Sequence, residues 1–457
     1  MTREKDIING LVIAFVLFRL FSYFVYDAPL LQTLSALILI IVPAYTIPKL
    51  SITSKLVMTM MLAVGVSLLV YVGADAAQWQ RAVLQNGTLI MMLVCVPMIS
   101  MPLHYRDYQR ELKTLVQIKM RNVMSFLTLV SAFTHILAVV MNIGAIIISY
   151  TLMRPIASAY NADHQTLKTV SRGYFSSGFW SPAWGSVIIY AIHTDVHWVR
   201  VIPVGIAFGV LFNAISLLGI NSEVKRSPEH FQAAASEPDT KVDKPAIYTM
   251  ALIMVFMIGS IIVINAATGW SLMLVVTFVS LTFPLLAALV QRLCSAYRSQ
   301  LRQYYDISLV KAREQVALFT LVGFLAFALN ASGVVAVLVE LLPDWLHNTP
   351  VAMVAAIILT IALPTLVGVH PTATGTALAV TLQPAVLGLA SYTFALALLT
   401  GWVIGTLIAP FGVVAMLLSN INGRSIYANS LLLNWKFALV CVIVFSPLIS
   451  LIGPLMG

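Results

Sequence analysis

Residues 122–153 read NVMSFLTLVSAFTHILAVVMNIGAIIISYTLM, a run of thirty-two positions with no Asp, Glu, Lys or Arg. One helix crossing a hydrocarbon layer of ~30 Å takes about 20 residues and two take ~40. The stretch is therefore long for one crossing and short for two. Asn142 and Gly144 sit near its middle, and both residue types weaken a helix. A re-entrant hairpin fits the length, because non-helical backbone at membrane depth is tolerated where protein or a water-filled cavity surrounds it. Two short full crossings would return the chain to the same side, so charge alone leaves them open.

The rest of the chain is as apolar as this stretch. Of 457 residues, 60% are apolar and 9% charged, far from the usual composition of a soluble domain. The runs are continuous rather than short and alternating, which excludes a β-barrel. Runs of spanning length occupy 9–26, 30–47, 56–71, 87–101, 173–192, 201–220, 246–265, 270–290, 316–342, 392–419 and 431–452. The predicted fold class is an all-α polytopic membrane protein, with about eleven transmembrane helices plus two re-entrant hairpins in two inverted-topology repeats. Residues 1–28 form an extra N-terminal transmembrane helix, with no small-residue cleavage site before Asp27. The first repeat is 29–220 with its hairpin at 122–153, and the second is 246–457 with its hairpin at 350–390. Between them, 221–245 is a cytoplasmic linker containing SPEHFQAAASEPDTK, which has no apolar period.

Lys and Arg outnumber Asp and Glu by 26 to 17, a net charge of +9. The excess lies in short loops between apolar runs, where it marks the cytoplasmic side rather than a nucleic-acid partner. With a hairpin in each half, Arg3, Lys5, Lys49, Lys55, the basic residues of 106–121, Arg154, Lys168 and Arg172 fall on one side. So do those of 225–244 and 292–313, with Arg424 and Lys436. Only Arg81 and Arg200 fall in outside loops, and Arg19 lies within the first helix. This predicts a multi-pass protein of the cell inner membrane with a cytoplasmic N-terminus and an outside C-terminus. Residues 104–121, HYRDYQRELKTLVQIKMR, interleave charge with Leu112, Leu115, Val116 and Ile118 and read as an interfacial helix. Cys95, Cys294 and Cys441 are far apart, with no CxxC pair or metal-ligand spacing, and read as core residues.

Laid side by side, the halves pair MNIGAIIISYTLMRP from Met141 with VHPTATGTALAVTLQP from Val369, and SPAWGSVIIYAI from Ser181 with APFGVVAMLLS from Ala409. Asn142 to Pro182 is 40 residues, and so is His370 to Pro410. Here the chain resembles the ion-transporter superfamily, and within it the divalent-anion:sodium symporters, whose hairpin tips carry Ser-Asn-Thr, often continued as SNTAT. Thr372-Ala373-Thr374 matches the last three letters, while Met141-Asn142-Ile143 keeps only the Asn. Ser181-Pro182 followed by Gly185-Ser186 is similar to the broken helix that follows the hairpin in that superfamily.

The resemblance implies a secondary active transporter of a small solute, working by alternating access in an elevator-like motion, as a homodimer in the lipid bilayer. It implies substrate-binding positions at Asn142, Gly144, Ser181, Pro182, His370, Thr372, Thr374 and Pro410. It implies cation-binding positions at Asn142, Thr372, Thr374, Gly375, Thr406 and Gly412, with Na+ or H+ as coupling ion and no resident cofactor or metal. Unwound tips expose carbonyls for a cation, and half-helix N-termini offer N–H groups to an anion. No Asp or Glu lies near either tip, which leaves room for an organic anion that carboxylates would repel. Export of a toxic or amphipathic compound is the alternative. His370 reads equally as a proton-linked or substrate-contacting group and as a neutral packing residue, and His135 as a satisfied packing residue. The rival class is a membrane-embedded enzyme using His193, Asp195 and His197, whose HxxxH spacing resembles a metal pair but lacks the Glu of a zincin. The reading adopted is not an enzyme.

Overall fold

The computed structural model of the chain describes residues 2–50, 52–105, 122–141, 143–181, 184–228, 231, 244–334 and 343–456. The described residues are helical throughout, without a strand. Ten of their segments are long and apolar enough to cross a membrane. The chain is an all-α polytopic membrane protein.

About eleven spans were expected and the ten differ in identity. The run at 173–192 is interrupted, so neither piece reaches spanning length, and 246–265 counts only through the shorter apolar stretch Val255–Thr268, whereas Pro350–Val367 qualifies by itself. The chain divides into two compact units that do not coincide with its two halves. One comprises Met1–Tyr105, Ser260–Met353 and Thr372–Ser391; the other comprises Arg106–Gly259, Val354–Pro371 and Tyr392–Gly457.

The first unit contains α1 (Thr2–Phe24), α2 (Pro29–Thr46), α3 (Ile52–Tyr71), α4 (Ala76–Leu84) and α5 (Gly87–Cys95). A 3-10 turn, Val96–His104, follows α5. The central helix of this unit, Leu309–Ser332, packs against α2, α3, α4 and α5. Its buried Arg313 donates from Nη2 to the Lys5 carbonyl and the Asn9 amide oxygen, each at 2.6 Å, and from Nε to the same amide oxygen at 3.1 Å. An ionised group at this depth persists only when its donors are satisfied, so these bonds pin α1 to the central helix. Asn86 donates to the Phe319 carbonyl at 3.0 Å, in the space left by Gly323. The basic stretch 292–313, expected as a loop, is instead a helix (Cys294–Gln303), a π-helical turn (Tyr304–Ser308) and the first turn of the central helix.

The second unit contains α6 (Val123–Met141), α7 (Ile143–Ala159), α8 (Asp163–Ser176), α9 (Gly185–His193) and α10 (Trp198–Arg226). Chain order is then completed by α11 (Lys244–Thr268), α12 (Leu272–Val290), α13 (Cys294–Gln303), α14 (Leu309–Ser332), α15 (Asp344–His347), α16 (Pro350–Ala362), α17 (Pro371–Thr381), α18 (Ser391–Ile408), α19 (Val413–Asn422) and α20 (Leu431–Ile452). α6 and α7 pack on each other and on α8, and α7 continues through Ala159, six residues past the stretch 122–153. Their 19 and 17 residues are about 28 and 25 Å long at 1.5 Å per residue.

Lys168 and Arg172, read as loop markers, lie instead inside α8 and are buried. Their polar neighbours kept the hydropathy of 163–172 low, while the i, i+4 spacing of His164, Lys168 and Arg172 puts them on one helix face. Lys168 Nζ bonds both carboxylate oxygens of Glu223, at 2.6 and 2.9 Å. Arg172 donates to Asn434 Oδ1 (3.0 Å), Ser216 Oγ (3.3 Å) and the Leu433 carbonyl (3.2 Å), with its guanidinium 4.2 Å from the Phe437 ring centroid. α10 runs through Arg226, into the expected linker, most of which lies outside the described residues. The expected interfacial helix falls at 106–121, likewise outside them.

Candidate functional site

Two helices of the second unit are interrupted in mid-course. α8 tightens into a 3-10 turn, Ser177–Phe179, and helix resumes at α9 with Gly185. α18 stops at Ile408, passes Pro410 and Gly412, and resumes at α19. Proline has no N–H to donate and weakens a helix interior, yet Pro43, Pro203, Pro284 and Pro447 lie inside continuous helices of this chain, so a proline alone does not enforce a break. Pro410 and Gly412 lie in the second interruption, and Pro182 lies outside the described residues. At the end of α8 the Gly173 and Tyr174 carbonyls accept from the Ser176 and Ser177 hydroxyls, at 2.7 and 2.8 Å, and the Gly412 N–H at the start of α19 bonds the Ala409 carbonyl at 3.2 Å.

The two broken helices meet within this unit. Gly178 packs against Trp402, which a Cβ at 178 would approach to 2.7 Å. Trp184 and Trp402 are edge-to-face with centroids 5.1 Å apart, and Trp184 donates from its indole nitrogen to Ser177 Oγ at 2.8 Å. Each broken helix is also held against a neighbouring segment of this unit. Ser181 Oγ donates to the Val139 carbonyl at 2.7 Å, next to the end of α6. Thr365 Oγ1 donates to the Ala362 carbonyl at 2.6 Å and lies 3.1 Å from the Gly405 carbonyl, tying the turn after α16 to α18.

Glycines make these approaches close. A Cβ at Gly173 would lie 2.9 Å from the Ser131 carbonyl oxygen, and one at Gly401 would lie 3.1 Å from Ile358 Cα. The two glycines are 228 residues apart, the separation of Asn142 from His370 and of Pro182 from Pro410. Corresponding positions therefore make corresponding contacts between a broken helix and an earlier helix. Gly405 faces Ala362 Cα at 3.2 Å and Pro371 Cβ at 3.3 Å, which brings the Pro371 end of the chain break beside α18 one residue before Thr406.

The positions expected from sequence are distributed unevenly. In the second unit, Ser181 is buried with its hydroxyl spent on α6, and Thr406 bonds back to the Trp402 carbonyl. Pro410 is buried, Gly412 caps α19, and His370 is exposed in the break after Gly368, whose φ of 93° favours glycine. Gly144 lies in the first turn of α7. Asn142 and Pro182 lie outside the described residues. Thr372, Thr374 and Gly375 belong to α17, in the first unit. On that helix Thr376 is fully buried and its hydroxyl has no hydrogen-bond partner among the described residues. Its i, i+4 spacing from Thr372, which puts the two on one face of α17, was the available signal. Sequence reading missed Trp184 and Trp402 altogether, because nothing local distinguishes them from membrane-interface tryptophans.

His135 is held in a closed network, as a packing histidine would be. Trp180 donates from Nε1 to His135 Nε2 at 3.2 Å, so the ring proton belongs on Nδ1, which faces Ser176 Oγ at 2.6 Å. Ser176 in turn accepts from Asn213 Nδ2 at 2.8 Å and donates to the Gly173 carbonyl at 2.7 Å. The 193–197 loop is a helix-ending turn: Thr194 N–H bonds the Tyr190 carbonyl, Val196 N–H bonds that of Ala191, and Asp195 takes φ 54°. The described residues hold no group of three or more His, Cys, Asp or Glu arranged for a metal ion.

No protein-family model matches the chain, and no curated protein matches it. Among solved structures, it is similar to the crystal structure of the YdaH transporter of Alcanivorax borkumensis, a structure described as revealing an unusual topology. The TM-score is 0.62 at 14% identity, over 86% of this chain and 97% of that one. The two share a fold.

Proposed function

We propose that the protein is a secondary active transporter of a small organic anion, working by alternating access with Na+ or H+ coupling in a cell inner membrane. The observation that carries this is the meeting of two interrupted helices inside one compact unit, the first tied at its break to α6 by the Ser181 hydroxyl and the second packed through Gly405 against the turn after α16. Broken helices in membranes persist where their free N–H and C=O groups serve a ligand or a cavity. The N-termini of α9 and α19 would present positive dipole ends to an anion, and the carbonyl ends of α8 and α18 would suit a cation. After Asp344 the chain has no Asp or Glu, and from 123 to 193 only Asp163, so nothing acidic near the breaks opposes an anion. The similarity in fold to a transporter and the equal 228-residue offsets support the same reading, including two repeats of inverted topology.

Counterflow in proteoliposomes, with a panel of mono- and dicarboxylates under imposed sodium or proton gradients, tests it. Accumulation of at least one carboxylate that follows one of the gradients is expected. Counterflow with none of the panel would remove the organic-anion reading.

A further inference from the structure

Two of the three arginines that charge asymmetry leaves off the cytoplasmic side, Arg19 and Arg81, line one cavity of the first unit. Its volume is about 460 Å³, and its walls come from α1, α2, α4 and α14: Arg19, Gln32, Gln80, Arg81, Gln85 and Phe327 are among them. We infer that this cavity is an oxyanion site, taking a phosphate or carboxylate group between the two guanidinium groups, and that it is separate from the transport site at the broken helices.

Neither arginine has a carboxylate within 4.0 Å among the described residues. The nearest acids in sequence are committed elsewhere: Asp27 accepts from Gln32 at 2.8 Å, and Asp75 caps α4 by accepting from the Gln78 N–H at 2.8 Å. Arg19 makes one long bond, Nη2 to Thr88 Oγ1 at 3.4 Å, and leans on Tyr23 with its guanidinium 5.7 Å from the ring centroid. Its Nε is buried with no partner among the described residues. An arginine that merely snorkelled to the interface would leave that donor in water, and a buried donor without an acceptor is costly. That Nε lies beside Gly87, where a Cβ would be in ordinary contact with it at 3.6 Å. Arg81 is exposed at the last turn of α4 and adds a second planar fork on the same cavity. Paired guanidinium groups match the flat, multidentate acceptor geometry of phosphate and carboxylate. The volume, at the lower end for ligand pockets, suits a small free anion or a phospholipid headgroup.

The test is thermal unfolding of the purified full-length protein with sodium phosphate, at ionic strength held constant with sodium chloride. A saturable upward shift is expected, with apparent affinity about tenfold weaker in Arg81→Gln, where one charge-assisted contact is lost. Arg81 is exposed, so this variant keeps the fold. Arg19→Lys, which keeps the charge but not the fork, should weaken binding as well, and Arg200→Gln should not. A parallel arm compares nanodiscs of phosphatidylcholine with nanodiscs containing one quarter phosphatidylglycerol. Stabilisation by phosphatidylglycerol that depends on Arg81, without a phosphate shift, assigns the site to a headgroup. Absence of any shift that depends on Arg19 or Arg81 in both arms overturns the inference, and carboxylate counterflow by the wild type is unaffected by that result.

Discussion

At the scale of single residues, the second unit contrasts a saturated cation with an unsatisfied hydroxyl in the first. All three nitrogens of the Arg172 guanidinium are engaged, by Asn434, Ser216 and the Leu433 carbonyl. Arg172→Met should lower unfolding stability by about 3 kcal/mol, because it strands buried partners that have no access to water. Chemical denaturation in detergent would measure it, and a loss below about 1 kcal/mol would mean that the three acceptors find other partners. Thr376 is the reverse case, a buried hydroxyl with nothing to bond among the described residues. Replacing it by valine removes an uncompensated polar group, so stability should stay level or rise by up to ~1 kcal/mol. Uptake should fall if that oxygen serves the transported solute or its coupling ion. Wild-type uptake by Thr376→Val would place the hydroxyl among packing residues.

At the scale of helices, the decisive contacts are backbone approaches at glycine. Gly173→Val and Gly401→Val each push a branched side chain into an earlier helix, against Ser131 and Ile358 respectively. Overpacking of this kind costs ~1–3 kcal/mol, and the two variants should be destabilised alike if the positions are equivalent. Gly219→Ala, where a Cβ meets nothing within 4 Å, is the control and should be neutral or slightly stabilising. The melting temperature of each variant in detergent decides between them. A large loss at 173 with none at 401 would argue against matched repeats. Helix breaks were legible in part, because proline and glycine weaken a helix through backbone chemistry that needs no neighbour. Helix ends were less so. α7 outran the predicted arm by six residues, and α8 began ten residues before the predicted span, since its polar first turns are paid for by tertiary partners that hydropathy does not register.

At the scale of the whole molecule, chain order and compactness part ways. Each unit collects segments from both halves of the sequence, and the chain passes from one unit to the other between Pro371 and Thr372, inside the stretch matched to the SNTAT motif. The orientation argument is independent of that division, because it rests on where Lys and Arg lie. Reporter fusions should place residue 1 in the cytoplasm and residue 457 outside. A cytoplasmic signal at residue 457, or an outside signal within 232–243, would break the scheme of two inverted repeats.

Composition and run length by themselves determined that this is a helical membrane protein, since burying 60% apolar residues in lipid admits little else, but they gave about eleven spans where the described residues have ten. The equal 40-residue offsets singled out 181–186 and 409–412, but proline alone did not mark a break, since Pro43, Pro203, Pro284 and Pro447 lie inside helices. Only the tertiary structure decided which breaks meet. That outcome depends on Trp184 reaching Trp402, on Gly178 and Gly405 being small enough to admit their neighbours, and on Lys168 finding Glu223 fifty-five residues away. Side-chain contacts between distant segments follow from packing geometry, and a one-dimensional pattern of apolar residues holds no record of it.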